Sequence, residues 1–594
     1  MRPLGSALLP ATLMVLVLLL VPACGQDYPP AVLSEPQLQS LARSVKALQK
    51  GEPLPELEKI PSIQSVYLAW YDSGRRIGHS WQSGAGVAVA MEQAAAGSRH
   101  GKEADHAELS LAYGFRPLDP AHLGDDLSPV HRGVRGVEIA HGGVVVRFAP
   151  SQMIADNLSF ERALTRAAAQ LGIDGDTLLV EARLATFDAL QVVIDLRAEP
   201  IATQLFRGNH TLPDTAVTGT AVEQFATDMA GWMQRNLHEN GRMTYLYYPT
   251  SDRESDSNNM IRQWMASLCL TRMGVASGDE QMLASARLNI RHNLDQFYSL
   301  ESGLGIIEYR GKVKLGAVAL AALAILEHPD RARFAAQFNA LVAMTDHLWR
   351  ENGSFQTFYR PAERSANPNL HNFYPGETLL LWATMLERED DAAREARFMQ
   401  SFRYYREWHL AQRKPSFIPW HTQAYYLRWQ KTGSEELRDW IFEMNDWLLT
   451  MQTHSRLAYD DTRGRFYDPA PERAHFGPPH ASSTGVYLEG LIDAYQLALA
   501  EADKQRARAY RESIRAGLRS AMQLQLRNDE TLWFAPNRER AVGGLRTTVY
   551  NNVIRVDNVQ HTLMGVMKML EFTSEREQQL LSAGADKESL LPLN

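Results

Sequence analysis

Six segments of the chain carry its polar motifs, and five of them bring an acid or a histidine together with an aromatic or an amide. The six are Arg253-Glu254-Ser255-Asp256, the stretch around Lys312, His371-Asn372-Phe373-Tyr374-Pro375-Gly376-Glu377, Pro419-Trp420-His421, His480-Ala481-Ser482, and Arg555-Val556-Asp557 followed by His561. These residue types are what sugar handling requires. Flat ring faces stack on Tyr and Trp, hydroxyl groups take bidentate polar partners, and bond cleavage uses two carboxyl groups held in different protonation states. Glu377 follows a histidine and two aromatics, and partial burial would raise its pKa and suit it to be a general acid. Asp256 or Asp557 is then the candidate base. Tyr374 and His480 are candidates for sugar contact or for proton transfer beside a uronate carboxyl group. Arg253, Lys312 and Arg555 would neutralise such a carboxyl, and His371, Trp420, His421 and His561 complete the substrate-contacting set.

Plainer readings compete. Glu377 in the first turn of a helix is stabilised by the helix dipole without any substrate. Asp256 and Asp557 could equally be N-caps. Asp557 and His561 lie four apart on one helix face, so the carboxylate could orient the imidazole. The histidines come from separate segments without a metal-ligand spacing, so neither metal nor cofactor is expected. Asp460, Asp461 and Asp468 around Gly464 lack EF-hand spacing and read as a solvated hairpin.

The elements that must position these groups are helices. Apolar spacing near 3.6 predicts twelve, near 222–237, 256–275, 278–300, 314–327, 329–350, 375–387, 390–412, 419–432, 434–452, 483–498, 502–525 and 558–573. The turns from each even helix to the next odd one are short and charged, as in Ser277-Gly278-Asp279-Glu280, which fixes antiparallel neighbours. Even helices such as Ala317 to Leu326 are apolar on most sides, whereas odd ones carry a charged stripe. Six buried and six outer helices predict an all-α (α/α)6 toroid over 215–575, with the polar segments gathered at one mouth.

The remaining bounds are compositional. A chain of 594 residues exceeds a single core and should hold two domains. The net charge of −8 gives no footprint for nucleic acid, so none is expected as a partner. Residues 1–23 read as a signal peptide: Arg2, an apolar stretch from Ala7 to Val21, then Val21-Pro22-Ala23-Cys24-Gly25. The exit resembles a bacterial lipobox, which implies lipidation of Cys24 and a membrane anchor. The expectation is an outer-membrane or periplasmic lipoprotein, with simple secretion as the alternative. Residues 24–58 read as a linker and 576–594 as a polar tail. Cys269 lies in an apolar helix, leaving no cysteine framework.

Residues 59–200 change pattern. β-Branched alternation over Val137 to Phe148 and Thr177 to Leu196 flanks an amphipathic run from Phe160 to Leu171, so a small α+β or α/β domain is predicted. Arg135-Gly136-Val137-Glu138-Ile139, His141-Gly142-Gly143, Arg147-Phe148-Ala149-Pro150 and Phe160-Glu161-Arg162-Ala163-Leu164 resemble the second half of the AMMECR-like domain. That family's Leu-Arg-Gly-Cys-Ile-Gly signature is replaced by Gly74-Arg75-Arg76-Ile77-Gly78, which lacks the cysteine, so no catalytic residue carries over and a binding or presenting role is implied. The helical region resembles the six-hairpin glycosidase-like superfamily, which implies glycoside hydrolase, lyase or epimerase chemistry. Together these features predict an exported protein that cleaves or remodels an envelope or extracellular polysaccharide. The alternative is an envelope lipoprotein that binds glycan or a partner without chemistry.

Overall fold

The computed structural model describes residues 32–84, 86–98, 101–119, 122–452, 459–466, 481–527 and 529–572. Cys24, His480 and Asp468 lie outside these residues, as do the expected signal peptide and the polar tail.

Ser34 and Gln37 form a capping box that starts α1 (Glu35–Lys50), and Gly51 ends it at φ 73°. Its Leu41 and Val45 are fully buried, so this part of the expected linker belongs to the first domain. The domain is built on an antiparallel sheet of β1 (Ser65–Asp72), β2 (Arg75–Gln82), β3 (His106–Pro117), β4 (Arg135–His141), β5 (Val144–Phe148), β6 (Arg183–Asp195) and β7 (Ile201–Leu205). Its order is β2-β1-β3-β6-β4-β5, and β7 pairs with β6. Around it lie α2 (Val87–Gly97), α3 (Pro150–Ala155), α4 (Phe160–Leu171) and α5 (Gly175–Glu181). The second predicted strand starts late, because Asp174 accepts from the Thr177 amide and caps α5. β1 is apolar at nearly every position because both faces are covered. Val66, Leu68 and Trp70 face α1 and α2, whereas Tyr67, Ala69 and Tyr71 join the core of the helical domain.

That second domain alternates outer and inner helices. The outer set is α6 (Gly219–Arg235), α8 (Glu280–Phe297), α10 (Ala335–Leu348), α12 (Ala392–Ala411), α14 (Glu435–Leu449) and α16 (Lys504–Met522). The inner set is α7 (Met260–Ser277), α9 (Leu315–Glu327), α11 (Tyr374–Arg388), α13 (Ile418–Thr432), α15 (Ala481–Ala500) and α17 (Val556–Phe572). Each inner helix packs on the next, and α17 packs back on α7, so the ring closes. From Leu315 to Leu326 every residue of α9 is buried, as a helix walled in on all sides must be.

Glycines let the inner helices approach. A Cβ on Gly376 would stand 2.6 Å from Cβ of Trp420, and one on Gly490 2.7 Å from Cα of Pro419. Strands finish the closure: β8 (Leu246–Tyr248) pairs with β9 (Arg253–Glu254) and with β12 (Asn551–Arg555), which pairs with β11 (Arg546–Thr548). The first and last hairpins of the ring are thus tied by backbone hydrogen bonds. A further strand, β10 (Lys312–Lys314), runs directly into α9.

The solvated hairpin expected around Asp461 is instead a joint between domains. Asp461 is 2% exposed and its Oδ2 lies 2.8 Å from Nε of the fully buried Arg207, which follows β7. Burial pushes the Asp461 carboxyl up while Arg207 and its neighbouring arginines pull it down. Asn157, between α3 and α4, takes the Asn552 amide at 3.1 Å and donates to Asn551 Oδ1 at 3.2 Å, bracing β12 from the other domain.

Candidate active site

The inner helices all begin at the same mouth, and their first turns meet there. Arg262, in the first turn of α7, donates from Nε to Asp557 Oδ2 at 2.7 Å. Arg555, the last residue of β12, donates to Asp557 Oδ1 at 2.5 Å and to Ser482 Oγ of α15 at 3.2 Å. A Cβ on Gly316 of α9 would collide with Glu377 Oε2 of α11. At the opposite mouth a second set of ion pairs joins the helix C-termini, among them Arg272 with Glu327, Arg428 with Glu387 and Lys568 with Asp493. The two ends therefore differ in kind. At the first, aligned N-termini add partial positive charge to Arg262, Arg555, Lys312 and Lys314.

Two carboxyl groups in this cluster have opposite states. Glu377 is 2% exposed, and its Oε2 is buried with no hydrogen-bond partner among the described residues. Burial lifts its pKa to about 8, against the pull of Arg262 and Lys314, so it holds its proton at neutral pH. Asp557 is equally buried, and burial alone would raise it too. There the charges of Arg262 and Arg555, with the Arg555 hydrogen bond, win and hold it far below the ordinary carboxylate range. Lys314 is lowered, chiefly by burial and then by Arg262 and Lys312.

His561 supplies a third group. Its Nδ1 lies 2.6 Å from Glu489 Oε1 of α15, and its ring meets Trp420 edge-on at 5.8 Å. A carboxylate accepting from Nδ1–H leaves Nε2 as the basic nitrogen. The imidazole partner is therefore Glu489, and the expected pairing with Asp557 four residues earlier gives way to it.

The rest of the sequence-derived set divides. Tyr374 is nearly buried beside Glu377, its ring against Gly316. Lys312 sits two residues from Lys314 on the same side of β10. Trp420, 4% exposed, spends its ring on the protein interior, so it offers no open stacking face. His421 is fully buried, stacked on Phe417 at 3.6 Å with Nδ1 2.7 Å from Tyr425 Oη, and is a core residue. His371 turns toward the outer helix, with Nδ1 3.2 Å from Tyr405 Oη. Arg253 and Asp256 are exposed on and just after β9. Asn259, accepting from the Ile261 amide, caps α7 in place of Asp256. Sequence reading missed Arg262, Lys314 and Glu489. The signal available was a charge inside an apolar run, Met260-Ile261-Arg262 and Leu488-Glu489-Gly490-Leu491.

No protein-family model and no curated protein matches the chain. Solved structures with a similar course include a D-mannose isomerase at 9% identity, covering 60% of this chain and 98% of that one, TM-score 0.47. Cellobiose 2-epimerase of Bacillus thermoamylovorans aligns at 10% identity over 60% of this chain and 100% of its own, TM-score 0.44. A family 76 glycoside hydrolase from a bovine Bacteroides thetaiotaomicron strain aligns at 11% identity over 78% and 96%, TM-score 0.42. The helical ring itself is established by the closure of its own six inner helices.

Proposed function

We propose that this chain is a carbohydrate-active enzyme whose reaction centre is the mouth formed by the inner-helix N-termini. The observation that carries this reading is Glu377, buried, with a carboxyl oxygen unpartnered among the described residues and a pKa near 8. A protonated carboxyl there can donate to a glycosidic or ring oxygen. His561, oriented by Glu489, is the complementary base, and Asp557 clamps Arg262 and Arg555 in place as the cationic face of the site. Export, lipidation at Cys24 and an envelope or extracellular polysaccharide as substrate complete the proposal, on the strength of the N-terminal residues alone.

The test is turnover. The full chain is incubated with neutral and uronic oligosaccharides, with cleavage or elimination followed by mass and isomerisation by NMR. Glu377→Gln should lower the rate at least ~100-fold with no loss of thermal stability. Sugar binding without turnover by the wild type would favour the non-catalytic reading.

A further inference from the structure

The sheet of the first domain curls until two of its edge strands, β2 and β5, line one cavity, with no pairing between them among the described residues. Between them, and under α3 and α4, lies a cavity of about 240 Å³. The residues lining it include Arg76, His79 and Trp81 from β2, Arg147 from β5, Asp156 after α3 and Arg166 from α4. Two of the segments singled out in the sequence, Gly74-Arg75-Arg76-Ile77-Gly78 and Arg147-Phe148-Ala149-Pro150, thus meet at one place that the ring chemistry does not use.

The wall is cationic. Arg76 grips Asp156 with both Nη atoms, at 2.9 and 3.2 Å, and Arg166 reaches the same carboxylate at 3.4 Å. Arg147 pairs with Glu138 at 2.7 Å, but Glu138 stands outside the cavity lining. Arg76 and Arg166 therefore share the Asp156 carboxylate while Arg147 has Glu138, which leaves three guanidinium groups against two carboxylates around the seam. His79 is held below its ordinary pKa by burial and by Arg76, so it adds a neutral hydrogen-bonding ring. Trp81 forms the aromatic side, with Arg147 Cζ 5.9 Å from its ring and its buried indole N–H without a partner among the described residues. Forked guanidinium groups recognise carboxylate and phosphate, and an indole face suits a flat ring. The volume lies below the roughly 300 to 1,000 Å³ of drug-sized sites, which fits a ligand of one ring.

We propose that this seam is a second binding site, distinct from the ring mouth, for a one-ring sugar bearing a carboxylate or a phosphate. The site stands on the first domain alone and does not depend on Glu377. Calorimetric titration of the full chain with glucuronate and with glucose monophosphate, glucose serving as the neutral control, tests it. At least one anion should bind saturably at one site per chain and glucose should not, the better anion showing which group the arginines take. Arg166→Glu should weaken that binding at least ~10-fold, as should Arg147→Gln, while Glu377→Gln leaves it unchanged. The Arg166 side chain is 48% exposed, so its reversal spares the fold. Binding of neither anion, binding indifferent to both arginine variants, or binding lost in Glu377→Gln would overturn the proposal.

Discussion

Glu377 carries a measurable consequence even without a substrate. Its folded pKa of about 8 lies above the value of about 4.3 for an unfolded Glu, so the folded state binds the extra proton between these values. Stability contributed by this residue is intact below the unfolded pKa, declines as pH rises toward the folded one and is lost beyond it. Chemical denaturation at pH about 5 and about 8.5 should therefore show wild type losing on the order of a few kcal/mol relative to Glu377→Gln. Parallel behaviour of the two proteins would mean that the carboxyl ionises freely. Glu377 was legible because a proline at a helix start puts an acid three or four residues into an inner helix. Glu489 and Arg262 were not, because their partners His561 and Asp557 lie more than seventy and nearly three hundred residues away. His421 deceived for the converse reason. The same Trp-His pair reads alike whether it faces a sugar or, as here, Phe417 and Tyr425.

At the scale of elements, the inner ring is spaced by glycines, and those at helix starts, Gly316 and Gly376, set how closely the reactive side chains meet. Gly316→Ala would place a methyl group against Glu377 Oε2 and Tyr374 Cδ1. The variant should lose about 1 to 3 kcal/mol in thermal or urea unfolding and lose turnover with it, because the carboxyl must shift to make room. Unchanged stability and rate would show that the two helices are not in contact. Helix periodicity recovered the alternation of outer and inner helices, since an apolar run such as Leu315 to Leu326 has few other solutions. The start of β6 was missed. Thr177 and Val180 favour strands, yet the cap at Asp174 turns the segment into α5.

The whole molecule is held as one unit by contacts that no local pattern announces. Tyr67, Ala69 and Tyr71 of β1 enter the same core as the ring helices, and Tyr71 meets Trp533 edge-on at 4.9 Å. Arg207 and Asp461 add a buried charge pair between domains. Asp461→Ala should cost about 3 to 5 kcal/mol, since it leaves a buried guanidinium without its anion. Calorimetry should then resolve two transitions in place of one, and a single undisplaced transition would count against the joint. An aspartate beside Gly464 looks like a surface turn in sequence because its partner lies over two hundred and fifty residues earlier. The central claim, a protonated acid at the mouth of the ring, is tested most directly by difference infrared spectroscopy of wild type against Glu377→Gln across pH. A protonated carboxyl band present at pH 7, falling to about half near pH 8 and lost above it, is the expected result. A carboxylate already ionised at pH 6 would contradict it.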